Sequence, residues 1–381
     1  MSGHRALIIA DEERFDALEV EWRSLWQEAT LVGPVFASFE WYRCWWRHFG
    51  GGKKSLFVIV VRDGDRLVAI APLMLENLRM RGMPVRTVRF IENGNSLHND
   101  FILASGSRRT ILDTILDCLL EHRDQWDVIE FKNIPDDSEN AQLLRELAEQ
   151  RGITCGVKPA LDSPFININC DWDAFYATCT ARTRKTHRNL LNTIGKTGEH
   201  RLVRIATLKE YEAHRAALLE VAANSWTARV GDSLATPRNN AFFDDLACVA
   251  AEEGWLDIWL LMLNERLVAF EYHLQCNGRN HALRASFHEE FGHLSPGAVL
   301  DLLVMKELFG EHPTISEYDL GGSFDSYKKK WTPALRRHKM VHMFKPAPYP
   351  RLLHGIEYGV VPVLKRARAA FTRMRGGGGA P

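Results

Sequence analysis

At 381 residues the chain is longer than one ordinary hydrophobic core supports, so two domains are expected. Its 46% hydrophobic and 25% charged residues exclude a disordered or fibrous chain. The 48 Lys and Arg balance 48 Asp and Glu, which removes any global electrostatic pull toward DNA. Seven cysteines are scattered singly with no CxxC pair, against both a disulfide framework and a structural zinc site. Met1–Ala10 runs straight into Asp11, Glu12 and Glu13, unlike a secretory signal, and no stretch of about 18 apolar residues spans a membrane. A cytoplasmic protein is expected.

In chain order, Phe15, Leu18, Trp22 and Leu25 recur at helical spacing. A second helix is predicted over Ser38–Phe49, with Ser38 as N-cap. Its Trp41, Trp45 and Trp46 share one face, which favours core packing over a platform for stacking sugars or bases. Ser55–Val61 and Arg66–Leu75 flank a turn at Arg62-Asp63-Gly64-Asp65 and read as a hairpin. Strands are expected at Val85–Ile91, Phe101–Ala104, Val128–Phe131 and Pro164–Ile168, and helices at Thr110–His122 and Glu139–Gln150.

The second half repeats this order. Helices are predicted at Trp172–Leu191, Leu208–Ala223 and Asn239–Glu252, then a hairpin of Leu256–Leu263 and Arg266–Cys276 around Asn264-Glu265. A strand at His281–His288, a helix at Pro296–Phe309 and a strand at Ile315–Leu320 follow. Arg66-Leu67-Val68-Ala69 recurs as Arg266-Leu267-Val268-Ala269 at the same place in the second hairpin strand. Together with the matching element order, that recurrence points to an internal duplication. In the tail, Val360, Val361, Val363, Leu364 and Phe371 mix with Lys365, Arg366, Arg368, Arg373 and Arg375. This is either a solvated C-terminal helix, interrupted at Pro362, or a basic amphipathic helix in peripheral contact with an anionic membrane. Gly376–Gly379 reads as a flexible end.

The clearest binding signal is Phe287–Leu303. A strand ends near His288, Gly292 lies in the following loop, Ser295 is a good N-cap and Pro296 fits the first helical position. Gly297 and Ala298 would leave backbone N–H groups open to an anion, and the helix dipole adds positive charge. Such a start is an anion cradle or an ordinary capped helix. Arg182, Arg184, Lys185, His187 and Arg188 form a basic cluster, suited equally to an acceptor phosphate and to a solvated helix face. HExxH, a nucleophile elbow, a Walker loop and a Rossmann fingerprint are all absent from the sequence. Metal enzymes, serine hydrolases and nucleotide hydrolases are therefore disfavoured.

Several stretches in this order resemble the CelD-like branch of the GNAT superfamily, relatives of the Fem-type aminoacyltransferases. They are Phe39-Glu40-Trp41 through Trp45-Trp46, Ala69-Ile70-Ala71-Pro72-Leu73, Arg182 to Leu191, Ser295-Pro296-Gly297, Tyr318-Asp319-Leu320-Gly321 and Tyr327-Lys328, covering most of Val35–Phe344. The resemblance implies an α/β fold with mixed sheets, in two tandem GNAT-like domains. Residues 1–170 would be a degenerate, acceptor-side copy, 171–345 the catalytic domain, and 346–381 a basic helix and tail. It implies acyl transfer from acyl-CoA, without a metal, to an amine or hydroxyl of a small-molecule or glycan acceptor in polysaccharide or envelope metabolism. A Fem-type aminoacyl-tRNA donor and an inactive scaffold are the alternatives.

GNAT enzymes hold the acyl-CoA pyrophosphate at the loop and helix start after the fourth strand, the place of Gly292, Ser295, Pro296, Gly297 and Ala298 here. Acyl transfer also needs a base and an acid for the leaving thiolate. Glu271 is the first candidate base, in the apolar run Leu267–Phe270 where burial would raise its pKa, or else an outward edge-strand charge. The aligned position in the first hairpin is Ala71. Asp319 and His288 end adjacent predicted strands and would face one cleft, or else Asp319 caps the turn before Gly321. Tyr327 matches the tyrosine acid common in GNAT enzymes. Lys328, Arg182, Arg184 and Lys185 complete the expected substrate contacts.

Overall fold

The computed structural model describes residues 3–106, 108–231, 233–322 and 327–366. The chain opens with β1 (His4–Ile9), α1 (Glu12–Asp16), α2 (Glu19–Glu28) and α3 (Phe39–Phe49). Then come β2 (Lys54–Leu56), β3 (Val58–Asp63), β4 (Arg66–Ala71), β5 (Leu73–Met80), β6 (Met83–Phe90), β7 (Ile102–Leu103), α4 (Arg108–Glu121), β8 (Val128–Pro135), α5 (Asn140–Gln150) and β9 (Thr154–Pro159). The second half runs β10 (Ser163–Asn167), α6 (Trp172–Thr178), α7 (Ala181–Thr197), β11 (His200–Ile205), α8 (Leu208–Ala223), α9 (Trp226–Arg229), α10 (Pro237–Glu252), β12 (Leu256–Leu263), β13 (Arg266–Cys276) and β14 (Arg279–Phe287). It closes with α11 (Pro296–Gly310), β15 (Glu317–Asp319), β16 (Leu335–Arg336), β17 (His338–Phe344) and α12 (Pro348–His354).

The first half forms a four-stranded sheet, β1-β3-β4-β7, and a six-stranded sheet, β2-β5-β6-β8-β17-β9. The two are linked because β2 runs into β3 through Phe57 and β4 into β5 through Pro72, which has no N–H to give a ladder. The second half forms one seven-stranded sheet, β11-β12-β13-β14-β15-β10-β16.

Duplication is visible in the register. In β3–β4, Ile59 faces Ala71, Val61 faces Ala69 and Arg62 faces Leu67, so Val68 is bulged. In β12–β13, Trp259 faces Glu271, Leu261 faces Ala269 and Met262 faces Leu267, so Val268 is bulged in the same way. Ala71 and Glu271 therefore occupy equivalent places. The parallel pairs match as well: β6 and β8 pair over Thr87–Arg89, and β14 and β15 over Arg279–His281. Two strands cross the boundaries expected near residues 170 and 345. β10 joins the second sheet beside β15, and β17 inserts between β8 and β9 of the first.

Other differences have local causes. The single helix expected over Trp172–Leu191 breaks after Thr178, because the Thr180 hydroxyl caps a new helix by accepting the Thr183 N–H at 3.1 Å. β1, β9, β11 and β17 have no counterpart in the sequence reading; His200-Arg201-Leu202-Val203-Arg204 pairs two basic with two apolar residues and so lacks the period-two alternation that marks a strand. Pro362 does not interrupt its helix. It follows a wide turn at Gly355–Val360, where the hydrogen-bond register already shifts. Arg368, Phe371, Arg373, Arg375 and Gly376–Gly379 lie outside the described residues.

A continuous core joins the halves, with the Phe242 ring of α10 packed against Trp41, His48 and Phe49 of α3. Trp41, Trp45 and Trp46 are buried, as the helical spacing predicts. Each buries about 200 Å² of ring, a gross gain of roughly 5 kcal/mol that exposed stacking would forfeit. Their indole N–H groups also tether a long connection: Trp41 donates to Ser96 at 3.2 Å and Trp45 to Asn93 at 2.9 Å. That connection, between β6 and β7, carries His98 to the junction with the second sheet. Among the described residues no helix is long and apolar enough to cross a membrane.

Candidate active site

After the His281–Asp319 pair the parallel strands part. β14 continues to Phe287 along β13, while the chain turns away at Gly321. Gly321 has φ +62, and a Cβ there would lie 2.3 Å from the Ala282 carbonyl oxygen, so only glycine allows the two chains to approach so closely. A short turn, Glu289–Leu294, then leads from β14 into α11.

The start of α11 is open but differs from expectation. Pro296 takes the first helical position, yet Ser295 has φ +52 and its side chain makes no capping bond. In this left-handed conformation Ser295 instead presents its carbonyl to the Ala298 and Val299 N–H groups, at 3.0 and 3.2 Å. Pro296 has no N–H, so fewer donors face outward than a side-chain-capped start would offer. Space remains: a Cβ on Gly297 would meet only Phe287, at 3.5 Å, and Gly292, Ser295 and Ala298 are exposed. The acids nearby are paired, Glu289 with Arg229 at 2.6 Å and Glu290 with Arg266 at 3.0 Å. An anion at the helix dipole is therefore not opposed by bare carboxylates.

On the α11 face of the sheet, Glu271 is 6% exposed and accepts from His273 Nε2 at 3.0 Å. Asp301 of α11 accepts the Trp331 indole N–H at 2.5 Å. Burial, then the charge of Glu271, pushes the Asp301 carboxyl up to about 7, while the Trp331 bond and the Lys328 charge pull the other way. The Tyr318 hydroxyl shares this neighbourhood; burial and the charges of Glu271, Asp301 and Tyr327 hold it well above its ordinary value. Lys328 is buried, donates to the Gly321 carbonyl and lies 5.6 Å from the Tyr327 ring centre. Tyr327 is 47% exposed. A carboxyl that keeps its proton up to about 7, with Glu271, a lysine and two tyrosines nearby, can exchange protons with a bound nucleophile.

Asp319, the next residue of β15 after Tyr318, points to the opposite face. It is fully buried. Its Oδ1 accepts from Ser163 at 2.5 Å and the Gly321 N–H at 2.8 Å, and its Oδ2 lies 2.6 Å from His98 Nε2. Although burial opposes it, the charge of His98, the bond from His98 and the nearby His281, 3.9 Å away, hold this carboxyl well below the ordinary range. His338 donates from Nδ1 to the Leu161 carbonyl at 2.5 Å, so its Nε2, 2.7 Å from His98 Nδ1, must accept. Burial, then the His98 charge, keeps His338 neutral down to about 3. His98 is thus the donor at both ring nitrogens. Arg336 completes the cluster, bidentate to Glu317 at 3.1 and 2.8 Å and 3.8 Å from Asp319.

Of the residues singled out from the sequence, the structure gathers Glu271, Tyr327 and Lys328 around Tyr318. It separates Asp319 and His288. The partner of Asp319 across the parallel pair is His281, whereas His288 lies beyond the other end of β14, where it accepts the Glu290 N–H. The reason is that the strands part between these positions. Arg184 is spent on structure, donating to the Ala177 and Cys179 carbonyls at 2.8 and 2.6 Å to close α6. Arg182, Lys185 and Arg188 stay exposed, while His187 is buried against Trp331. Sequence reasoning missed Asp301, His98, His281, Ser163 and Trp331; a lone Asp in the apolar helix face Val299–Leu303 was the available signal for the first. Among the described residues, two groups could offer three ligands to a metal: His98, His281 and Asp319, and Cys44, His48 and Asp245.

The family model described as "Acetyltransferase (GNAT) domain" matches residues 181–329. This segment is similar to a GNAT domain. Its parting strands and the open start of α11 lie within that match. Comparison with curated protein sequences finds no match. Among solved structures, FemX aligns with TM-score 0.55 and 13% identity over 91% of this chain and 99% of that one. The C-terminal domain of a putative lysylphosphatidylglycerol synthetase from Agrobacterium fabrum gives 0.54 and 11% over 89% and 95%. L-PGS from Bacillus licheniformis gives 0.53 and 13% over 90% and 95%. At these identities the likeness is one of fold. The fold is a mixed α/β one of two tandem GNAT-like halves, in which the matched segment carries the open helix start.

Proposed function

We propose that the chain is a cytoplasmic acyltransferase that moves an acyl group from acyl-CoA to an amine or hydroxyl of a small-molecule or glycan acceptor in polysaccharide or envelope metabolism. The observation that carries this reading is the parting of β14 and β15 beside an open α11 start, in the segment that matches the GNAT domain. The first half, with Ala71 in place of Glu271, serves the acceptor side. Transfer is direct. The acceptor heteroatom attacks the thioester carbon and gives its proton to Glu271, with Asp301 sharing that proton; the C–S bond then breaks and the thiolate takes a proton from Tyr327. Gly292, Ser295, Pro296, Gly297 and Ala298 hold the pyrophosphate, and Arg182, Lys185 and Lys328 contact substrate.

A second reading, an aminoacyl-tRNA donor of the Fem type, is favoured by the few outward N–H groups at the α11 start. Thermal-shift titration separates the two. Saturating ligand at one hundred times Kd stabilises by about 2.7 kcal/mol. Acetyl-CoA or a longer acyl-CoA should raise the midpoint, and Gly297→Glu, which puts a carboxylate into the anion position, should abolish the rise. A rise with aminoacyl-tRNA alone replaces the first reading with the second, and silence toward every donor refutes both.

A further inference from the structure

The C-terminal helical segment, residues 348–366, is docked on the first half through its inner side. Leu353 is buried, and Glu357 is held by Arg81 at 2.7 Å and Lys158 at 2.6 Å. Against the upward push of burial, those two partners pull the Glu357 carboxyl down to about 2. Glu357 is the only acid in the segment, and it faces inward.

The outer side is different in kind. Tyr349, Leu352, Ile356, Val360 and Val363 follow at intervals of three and four residues, so they line one side of the helix. Tyr349, Leu352, Val360, Val363 and Leu364 are 37–62% exposed. They are half of the ten large apolar side chains exposed among the described residues, gathered in one short stretch. Arg351, Lys365 and Arg366 stand exposed beside them. With its one acid neutralised underneath, this face offers water only apolar and cationic groups. A protein partner would need an acidic surface matched to the apolar stripe, whereas an anionic bilayer supplies negative charge and a hydrocarbon boundary together.

We propose that Pro348–Arg366 is an amphipathic foot that lies in the interface of a bilayer rich in anionic lipid, independently of which acyl donor the chain uses. Leu352, Val360, Val363 and Leu364 enter the headgroup boundary, Arg351, Lys365 and Arg366 bind phosphate, and the Glu357 pairs hold the foot to the body. The full chain should sediment with phosphatidylcholine vesicles that contain phosphatidylglycerol and not with phosphatidylcholine alone. Salt should weaken the binding. Lys365→Gln with Arg366→Gln should lower the apparent affinity about 25-fold, and Leu352→Glu with Val363→Glu should abolish sedimentation while leaving the thermal midpoint unchanged, since all four side chains are exposed. The proposal is overturned by an absence of sedimentation, by equal binding to neutral vesicles, or by variants that bind like the parent. It is equally overturned by a solution dimer that Leu352→Glu splits, because a second copy would then cover the face.

Discussion

Asp301→Asn probes the proton that the α11-face cluster holds. An ordinary Asp titrates near 3.8, and burial with the Glu271 charge raises Asp301 to about 7. The native state therefore binds this proton more tightly than the unfolded chain does. Its stabilising contribution is complete below the unfolded value of 3.8 and is lost as pH rises through about 7. The interval corresponds to about 4 kcal/mol, and the partial solvent access of Asp301 reduces this to roughly 2 kcal/mol. Asn keeps the shape and still accepts the Trp331 N–H, but it never ionises. Urea unfolding of both proteins from about pH 4 to pH 8 should show equal stability at the acid end. At the alkaline end the Asp301→Asn protein should be more stable, by roughly 2 kcal/mol. In a Glu271→Gln background the pH-dependent part should shrink, because the largest charge acting on Asp301 is gone. A stability difference that does not change with pH would refute a proton held at this site.

Glu271→Gln should slow single-turnover transfer by about 10²–10⁴-fold, with donor affinity unchanged; a rate within a few-fold of the parent rules Glu271 out as the base. His98→Ala leaves the buried Asp319 carboxylate without its main cation and should cost about 3–5 kcal/mol in urea unfolding; a loss below about 1 kcal/mol would mean that Asp319 is not ionised there. Because Asp319 is held below the ordinary carboxyl range, its contribution is present above that range and lost as pH falls. Asp319→Asn should flatten the acid limb of the stability profile, and an unchanged limb would contradict the low value.

Patterns that repeat locally were legible in the sequence. The Ser38 cap, the Trp face of α3, both hairpins and the Ala71–Glu271 equivalence follow from periodicity and a four-residue recurrence, and each is set by neighbours close in the chain. What was not legible depends on contacts between distant segments. Strand exchange of β10 and β17 replaces local pairing with long-range pairing, which no periodicity encodes. His98 reads as one polar residue in a loop, and its role comes from a connection pinned by Trp41 and Trp45 and aimed at a strand 221 positions later. Ser295 looked like a side-chain cap because Ser before Pro usually is one; the left-handed backbone that prevents it is set by the preceding turn at Glu289–Leu294.

The two polar clusters share one strand, and that fact assigns the first half a task. Tyr318 and Asp319 are successive residues of β15, so anything that fixes the orientation of Asp319 fixes Tyr318 on the other face. Asp319 is held by His98 from the first half, by Ser163 from the exchanged strand β10 and by the Gly321 turn. The first half therefore acts on the Glu271–Asp301–Tyr318 cluster through a clamp on β15 and not by contact with it. His98 is on this argument a positioning residue. His98→Ala should lower the transfer rate yet preserve the pH dependence that the Asp301 proton imparts, whereas Asp301→Asn removes that dependence. If His98→Ala instead erased the pH limb and Asp301→Asn left it intact, the base would lie on the His98–Asp319 side of the sheet, and the roles of the two faces would be exchanged.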